Sequence, residues 1–511
     1  MGHSWDEGYR TETDYCCYYF NELNPVQLKF LLLAKGIVPP TIKNACELGF
    51  GQGLSINFHA VTSKINWYGT DFMPTQVNFA QELANYAENT NVHLFDDSFA
   101  EFAQREDLPQ FDYIALHGIW SWVSDENRKI IVDFIRRKLN VGGMLYISYN
   151  TLPGHNKTSP LRELLRLHAT NCSAPNLSLN KKVDNALDFA EQVFKTSSIH
   201  CKDNPNVLAK LHSLRELDHN YLFHEYCNDN WCPMFFSDMA KWLEPAKLSF
   251  ACSATAFEHL DKINFSQEQN ELFASVNNSI MQETLKDYIY NQQFRRDIWI
   301  KGPVTLTPTQ RQEALKELSC ILVSPKDEIN GKVQCLLGDA DFSDIYAPIL
   351  HVLGDSKPHS LAKVFEATHN AGFVFNHTVT ALMSLYAKKH LLITREADEE
   401  IMQHSKMMNE KLLAQVTTNI RISSLTSPFI GGAMNFNTIQ FMLLYASKQL
   451  EGPVSYKKLV DFVWNLLATK GHKIVFEGKC LETDEENIAA IKDEALKFLK
   501  QLSVYHTLKF I

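Results

Sequence analysis

The 511-residue chain has no run of eighteen apolar residues, and Met1 to Arg10 carries no apolar stretch. Neither a membrane span nor a secretory leader is therefore expected. Basic residues are not in excess: the formal net charge is −10, which argues against a nucleic-acid partner held through its phosphates and suits a basic substrate. The eleven cysteines are scattered, as in a reduced, cytoplasmic protein. No metal is expected either. His219, His224, Cys227 and Cys232 lie close together, but Cys-x4-Cys without a second close pair is loose for zinc, and these read as core and turn residues. Internal repeats and low-complexity tracts are also missing.

What the chain does have is a glycine-rich turn, Glu47-Leu48-Gly49-Phe50-Gly51-Gln52-Gly53. A short apolar run ends in an acid, three glycines alternate with other residues, and a helical pattern starts at once. Without Cβ atoms at Gly49, Gly51 and Gly53 a ligand can approach the backbone, and the N–H groups of the following helix point at it. The spacing is neither Gly-x-x-x-x-Gly-Lys-Ser/Thr nor Gly-x-Gly-x-x-Gly. Glu47 would repel a pyrophosphate and welcome a sulfonium or an amino group.

From Ile42 to Asn150 strands alternate with helices: Lys43–Leu48, Asn66–Thr70, Val92–Phe95, Tyr113–Leu116 and Met144–Tyr149, the last after a Gly142-Gly143 turn. That rhythm predicts a parallel sheet with helices on both faces and ligands beyond the carboxyl ends of the strands. Strand two ends in Asp71-Phe72, placed to accept ribose hydroxyls. Strand three ends in Asp96-Asp97-Ser98, and strand four runs into His117-Gly118-Ile119-Trp120-Ser121-Trp122-Val123. Leu248–Ser253 and Arg295–Lys301 read as a sixth strand and a seventh, antiparallel one. The aromatic stretch from Tyr15 to Phe20 reads as a flap ahead of the first strand.

Glu-x-Gly-x-Gly-x-Gly resembles motif I of class I S-adenosylmethionine (SAM) methyltransferases. The wider chain is similar to the subgroup carrying a methyltransferase regulatory domain, including rickettsial-type outer-membrane-protein lysine methyltransferases. Glu47 to Gly53, His117 to Val123, Tyr146 to Gly154, His224-Glu225-Tyr226 and Phe294-Arg295-Arg296 carry the likeness. It implies a Rossmann-like α/β core of seven strands over residues 1–303, with helical insertions near 155–215 and 258–290. Independently of the resemblance, Ile345–Leu353, Ser360–Thr368, Thr378–Lys388 and Leu391–Thr394 have the helix, helix, helix, strand rhythm of a winged helix within a regulatory domain at 304–400, structural because Glu396, Asp398, Glu399 and Glu400 follow that strand, and 401–511 reads as a helical domain.

The resemblance further implies SAM as cofactor, held by Glu47, Gly49, Phe50, Gly51, Gly53, Asp71, Phe72, Asp97, Ser98, His117 and Gly118, with Asp97 meeting the adenine amino group. It implies methyl transfer to lysine side chains of a protein. Tyr18, Trp120, Trp122 and Tyr149, with Tyr15, are candidates for an aromatic acceptor pocket, and His117 or Tyr149 for a proton relay. No Asn-Pro-Pro-Tyr follows strand four, against amide or adenine-amine methylation. Alternatives are methylation of a sugar or other small molecule, and a non-catalytic interaction protein; a homodimer is left open.

Overall fold

The computed structural model of the chain describes residues 17–174, 176–196, 198–476 and 479–511; Tyr15 lies outside them. Seven strands, Asn44–Leu48 (β1), Asn66–Thr70 (β2), Val92–Phe95 (β3), Phe111–Leu116 (β4), Leu139–Asn150 (β5), Leu248–Ser253 (β6) and Phe294–Lys301 (β7), form one sheet. Its order is β3-β2-β1-β4-β5-β7-β6. β7 runs antiparallel to both β5 and β6, whereas β1 to β5 pair in parallel. β5 begins earlier than its sequence indicates. The pairing steps from Phe111 with Leu139 to Tyr113 with Met144, so the Gly142-Gly143 pair is a bulge inside the strand, with Gly142 at φ 82°.

Side chains alternate across the sheet. Cys46, Leu48, Ile114, Leu116, Leu145, Ile147 and Tyr149 share one buried cluster, while Ala45, Tyr113, Ala115, Met144 and Tyr146 belong to the cluster on the other face. The helices of the core are Pro25–Ala34 (α1), Leu54–Val61 (α2), Pro74–Ala84 (α3), Phe99–Gln104 (α4) and Asp125–Lys138 (α5).

After β5 come Ser159–Leu167 (α6), Leu179–Lys195 (α7), Ile199–Asp203 (α8), Asn206–Leu214 (α9) and His219–Cys227 (α10). Leu161, Leu187, Leu211, Leu222, Phe223 and Cys227 bury one another there. The insertion therefore runs on past residue 215 and takes in α10. Phe236–Leu243 (α11) returns the chain to the sheet.

In the last third, Ser319–Leu322 is the middle strand between His359–Ser360 and Leu391–Thr394, accompanied by the helices Ser343–Leu353, Leu361–Asn370 and Phe375–Ala387. The middle strand thus precedes the helices, and the chain passes from Thr394 to the helix Glu399–Ala414 with no intervening hairpin. This part docks on the start of the chain. Gln27 Nε2 donates to the Ile393 carbonyl at 2.9 Å while Gln27 Oε1 accepts from Ile393 N–H at 3.1 Å. Asn24 accepts from Val26 N–H as the N-cap of α1 and donates to Ile430 O. Tyr19, Leu54 and Phe58 are buried with residues of the C-terminal helices, so the expected boundary at residue 401 is crossed by a continuous apolar core.

Candidate active site

At the turn after β1, Gly49, Gly51 and Gly53 all have positive φ, 69°, 58° and 71°. Packing adds a second requirement at two of them: a Cβ would lie 2.5 Å from Ile119 Cδ1 at Gly49 and 2.5 Å from Ala80 Cβ at Gly53. No other residue type fits either position without displacing its neighbour. Gly53 is also the N-cap of α2 and offers no capping side chain, so the N–H groups opening that helix are left to the turn and to a ligand.

Three carboxylates stand around the turn. Glu47 is 4% exposed, and its Oε2 is buried with no hydrogen-bond partner among the described residues. Burial, and then the neighbouring Asp71, push its pKa up to about 8. Asp71 Oδ2 accepts from Gly51 N–H at 2.9 Å and Oδ1 from Met73 N–H at 3.1 Å. Burial raises this carboxyl to about 6 against those two bonds. Asp97, at the end of β3, is paired with Arg105 at 3.0 Å. Ser98 beside it caps α4 through a reciprocal capping box with Glu101.

These residues line one cavity of about 470 Å³, a size that suits a small-molecule cofactor with room for an acceptor group. Every residue expected to hold cofactor, namely Glu47, Gly49, Phe50, Gly51, Gly53, Asp71, Phe72, Asp97, Ser98, His117 and Gly118, lines it. Among the described lining residues four are acids and none is Lys or Arg. A cationic ligand would draw these carboxyls into their ionised form, which suits a positively charged ligand better than a phosphate.

His117 sits in the wall with Nδ1 2.8 Å from the Tyr146 hydroxyl and its ring 4.1 Å from that of Phe20. Burial, then Arg296, lower its pKa to about 3, so it is neutral at physiological pH. Gly118 N–H donates to Ser148 Oγ at 2.8 Å. Phe20 and Phe294 lie against the imidazole, and Tyr18 and Trp122 also line the cavity.

Two of the aromatic candidates do not line the cavity. Tyr149 follows the alternation of β5: Tyr146, Ser148 and Asn150 face the site side, and Tyr149 faces the opposite core. There its hydroxyl donates to Asp297 Oδ2 at 2.7 Å, and Asp297 is paired with the buried Arg295 at 3.0 Å. Trp120 is buried on that same side, its ring 5.8 Å from Trp242 and its Nε1 3.3 Å from Met234 Sδ. Trp122, two residues on, does reach the cavity, as does Tyr18.

Several lining residues were not among the candidates, chiefly Asn150, His155, Tyr221, Glu225, Asn228 and Phe294. Asn150 carries the signal that displaced Tyr149, the period of two along β5. The α10 residues have a helical one, since Tyr221, His224, Glu225 and Asn228 recur at i, i+3, i+4 and i+7.

The sheet order, the antiparallel β7 and the glycine turn under acidic strand ends define the class I methyltransferase fold. Residues 218–301 match the family described as the predicted methyltransferase regulatory domain. An uncharacterised protein of Synechocystis sp., sll1526, is 35% identical over 503 residues, 97% of each chain. The chain belongs to the family of class I methyltransferase-fold proteins that this cyanobacterial protein represents. The uncharacterised RP028 of Rickettsia prowazekii is 30% identical over 223 residues, 43% of this chain and 86% of its own length. Among solved structures, PKMT2 from Rickettsia typhi in complex with AdoHcy superposes with a TM-score of 0.68 at 18% identity, covering 96% of this chain and 99% of that one.

Proposed function

We propose that the chain is a SAM-dependent methyltransferase that modifies lysine side chains of a protein. The observation that supports it best is the acid-rich lining of the cavity: four acids and no Lys or Arg among the described lining residues, with a buried Glu47 oxygen that has no hydrogen-bond partner among the described residues at the glycine turn. This environment fits a sulfonium donor bearing an amino group and, opposite it, a cationic acceptor. PKMT2 of Rickettsia typhi, solved with AdoHcy, has the same fold over nearly its whole length, which supports the choice of donor. Tyr18, Trp122 and His117 are the residues to which we assign acceptor contacts; Asp71 is assigned to the ribose and Asp97 to the adenine.

Bound SAM supplies an electrophilic methyl group and its own leaving group. What remains for the protein is alignment and the state of the acceptor nitrogen. A lysine with an ordinary pKa near 10.4 is neutral on the order of one time in a thousand near pH 7, a cost of about 4 kcal/mol. Desolvation against Tyr18, Trp122 and Phe294 lowers that cost by disfavouring the ammonium. His117, held neutral by burial, can hydrogen-bond the amine but is a weak acceptor for its proton. The proton therefore leaves for solvent before transfer.

Incubation with methyl-labelled SAM and candidate proteins, followed by peptide mass spectrometry, tests the reading. Label on lysine supports it. Label confined to small molecules, or no transfer by folded protein, refutes it.

A further inference from the structure

Part of the cavity wall comes from α10, and its residues divide by face. Leu222, Phe223 and Cys227 turn into the core of the insertion, while Tyr221, His224, Glu225 and, just past the helix end, Asn228 line the cavity. That helix is held in place by a buried cation. Arg162 of α6 is 5% exposed; its Nε donates to the Glu225 carbonyl at 2.9 Å and its Nη2 to the Asn228 carbonyl at 2.8 Å. The guanidinium also lies 4.6 Å from the Trp231 ring centroid and 5.5 Å from that of Trp122. These bonds go to backbone carbonyls and fix the end of the helix, and the guanidinium also acts on the Glu225 carboxylate through its charge.

We propose that α10 is the acceptor-specificity element of this enzyme, with the Glu225 carboxylate receiving the ammonium of an incoming lysine and Tyr221 and Asn228 bordering it. Three of the four described lining acids, Glu47, Asp71 and Asp97, lie at the ends of β1, β2 and β3; the fourth, Glu225, comes from the helical insertion. A carboxylate there attracts a cation, while Tyr18, Trp122 and Phe294 of the lining take the aliphatic stem and desolvation deeper in disfavours the charge. The ammonium is thus captured in one place and loses its proton on moving to the next. Residues 218–301, the match to the regulatory-domain family, then act on substrate directly rather than from a distance. This inference rests on the donor site proposed above.

Calorimetry on the full chain separates the two. S-adenosylhomocysteine is titrated first. With it saturating, Nα-acetyl-lysine methylamide and its uncharged counterpart Nα-acetyl-norleucine methylamide are compared. The wild type should prefer the lysine compound by at least tenfold. Glu225→Gln should bind S-adenosylhomocysteine within twofold of wild type yet lose most of that preference, and Glu225→Asp should restore part of it. Tyr221→Phe, at a half-exposed position that folding tolerates, should weaken both compounds alike. Normal S-adenosylhomocysteine binding with no preference for the lysine compound, or a preference unchanged in Glu225→Gln, overturns the role of α10 alone. Failure of the wild type to bind S-adenosylhomocysteine overturns the donor site and this inference together.

Discussion

Asp71 Oδ2 accepts a hydrogen bond from Gly51 N–H at 2.9 Å, so the acid that ends β2 braces the turn that leaves β1. Its other oxygen takes Met73 N–H at 3.1 Å, and the carboxylate is 7% exposed. Asp71 therefore works twice, as a strut for the turn and as part of the cavity wall. Asp71→Ala should lower S-adenosylhomocysteine affinity by about a hundredfold, roughly 2.7 kcal/mol, and destabilise the fold by about 1–3 kcal/mol through its two orphaned N–H groups. Calorimetry and urea unfolding measure the two effects separately.

The raised pKa of Glu47 makes donor binding depend on pH. In the free protein Glu47 keeps its proton up to about pH 8, against an ordinary value of 4.5. An acid raised on folding binds more protons in the folded state, so its contribution to stability is complete below pH 4.5 and declines as pH rises towards 8. A cationic ligand favours the ionised form and must expel that proton. Affinity for S-adenosylmethionine should accordingly rise between pH 6 and 8, and near pH 7 binding should release up to one proton, seen as a binding enthalpy that varies with the ionisation enthalpy of the buffer. Asp71, raised to about 6, adds to the release only at the lower end of this range. Glu47→Gln should abolish the release.

His117 provides a second pH signature. Its pKa near 3 leaves no histidine-like inflection to find. At saturating donor, kcat/KM for a lysine acceptor should climb about tenfold per pH unit from 6 to 9, following the neutral amine. A plateau beginning near pH 6.5 would mean that an imidazole takes the proton.

Tyr149 should behave as a structural residue. Its hydroxyl serves the buried Asp297, which with Arg295 and Asp287 forms a charge cluster beneath the sheet: Arg295 lies 2.7 Å from Asp287 and 3.0 Å from Asp297. Tyr149→Phe removes a hydrogen bond to a buried charge and should cost about 1.5–3 kcal/mol of stability in urea unfolding, with KM values for donor and acceptor unchanged. Trp122→Ala should show the converse, a loss of kcat/KM with little loss of stability.

Deleting residues 401–511 should not leave a competent core. Tyr19, Leu54 and Phe58 share their apolar cluster with the C-terminal helices, and Asn435 Nδ2 donates to the Tyr19 carbonyl at 2.9 Å. The truncated chain should unfold at lower temperature and bind hydrophobic dye, as differential scanning fluorimetry would show.

The sheet was legible in the sequence because its cues are local: apolar runs closed by acids, and glycines where the turn needs positive φ. Glu47, Asp71 and Asp97 are found by their position at strand ends. Tyr149 and Trp120 were misplaced because proximity to a strand end says which end of the sheet a residue occupies but not which face; the period of two, applied along β5, selects Tyr146, Ser148 and Asn150 instead. Glu225 was out of reach for a different reason. It comes from a helix more than a hundred residues beyond Gly118, and the packing of α10 on α6 and α7 brings it to the cavity. The middle strand Ser319–Leu322 was missed because its partners, at 359–360 and 391–394, lie far along the chain.

The central claim, a donor seated at the turn after β1, is tested most directly by a crystal structure grown with S-adenosylhomocysteine. The account predicts ligand density against Gly49, Gly51 and Gly53, with Glu47 and Asp71 within hydrogen-bonding distance of it and its sulfur turned towards His117 and Trp122. Density elsewhere, or a well-ordered cavity left empty at millimolar ligand, would contradict it.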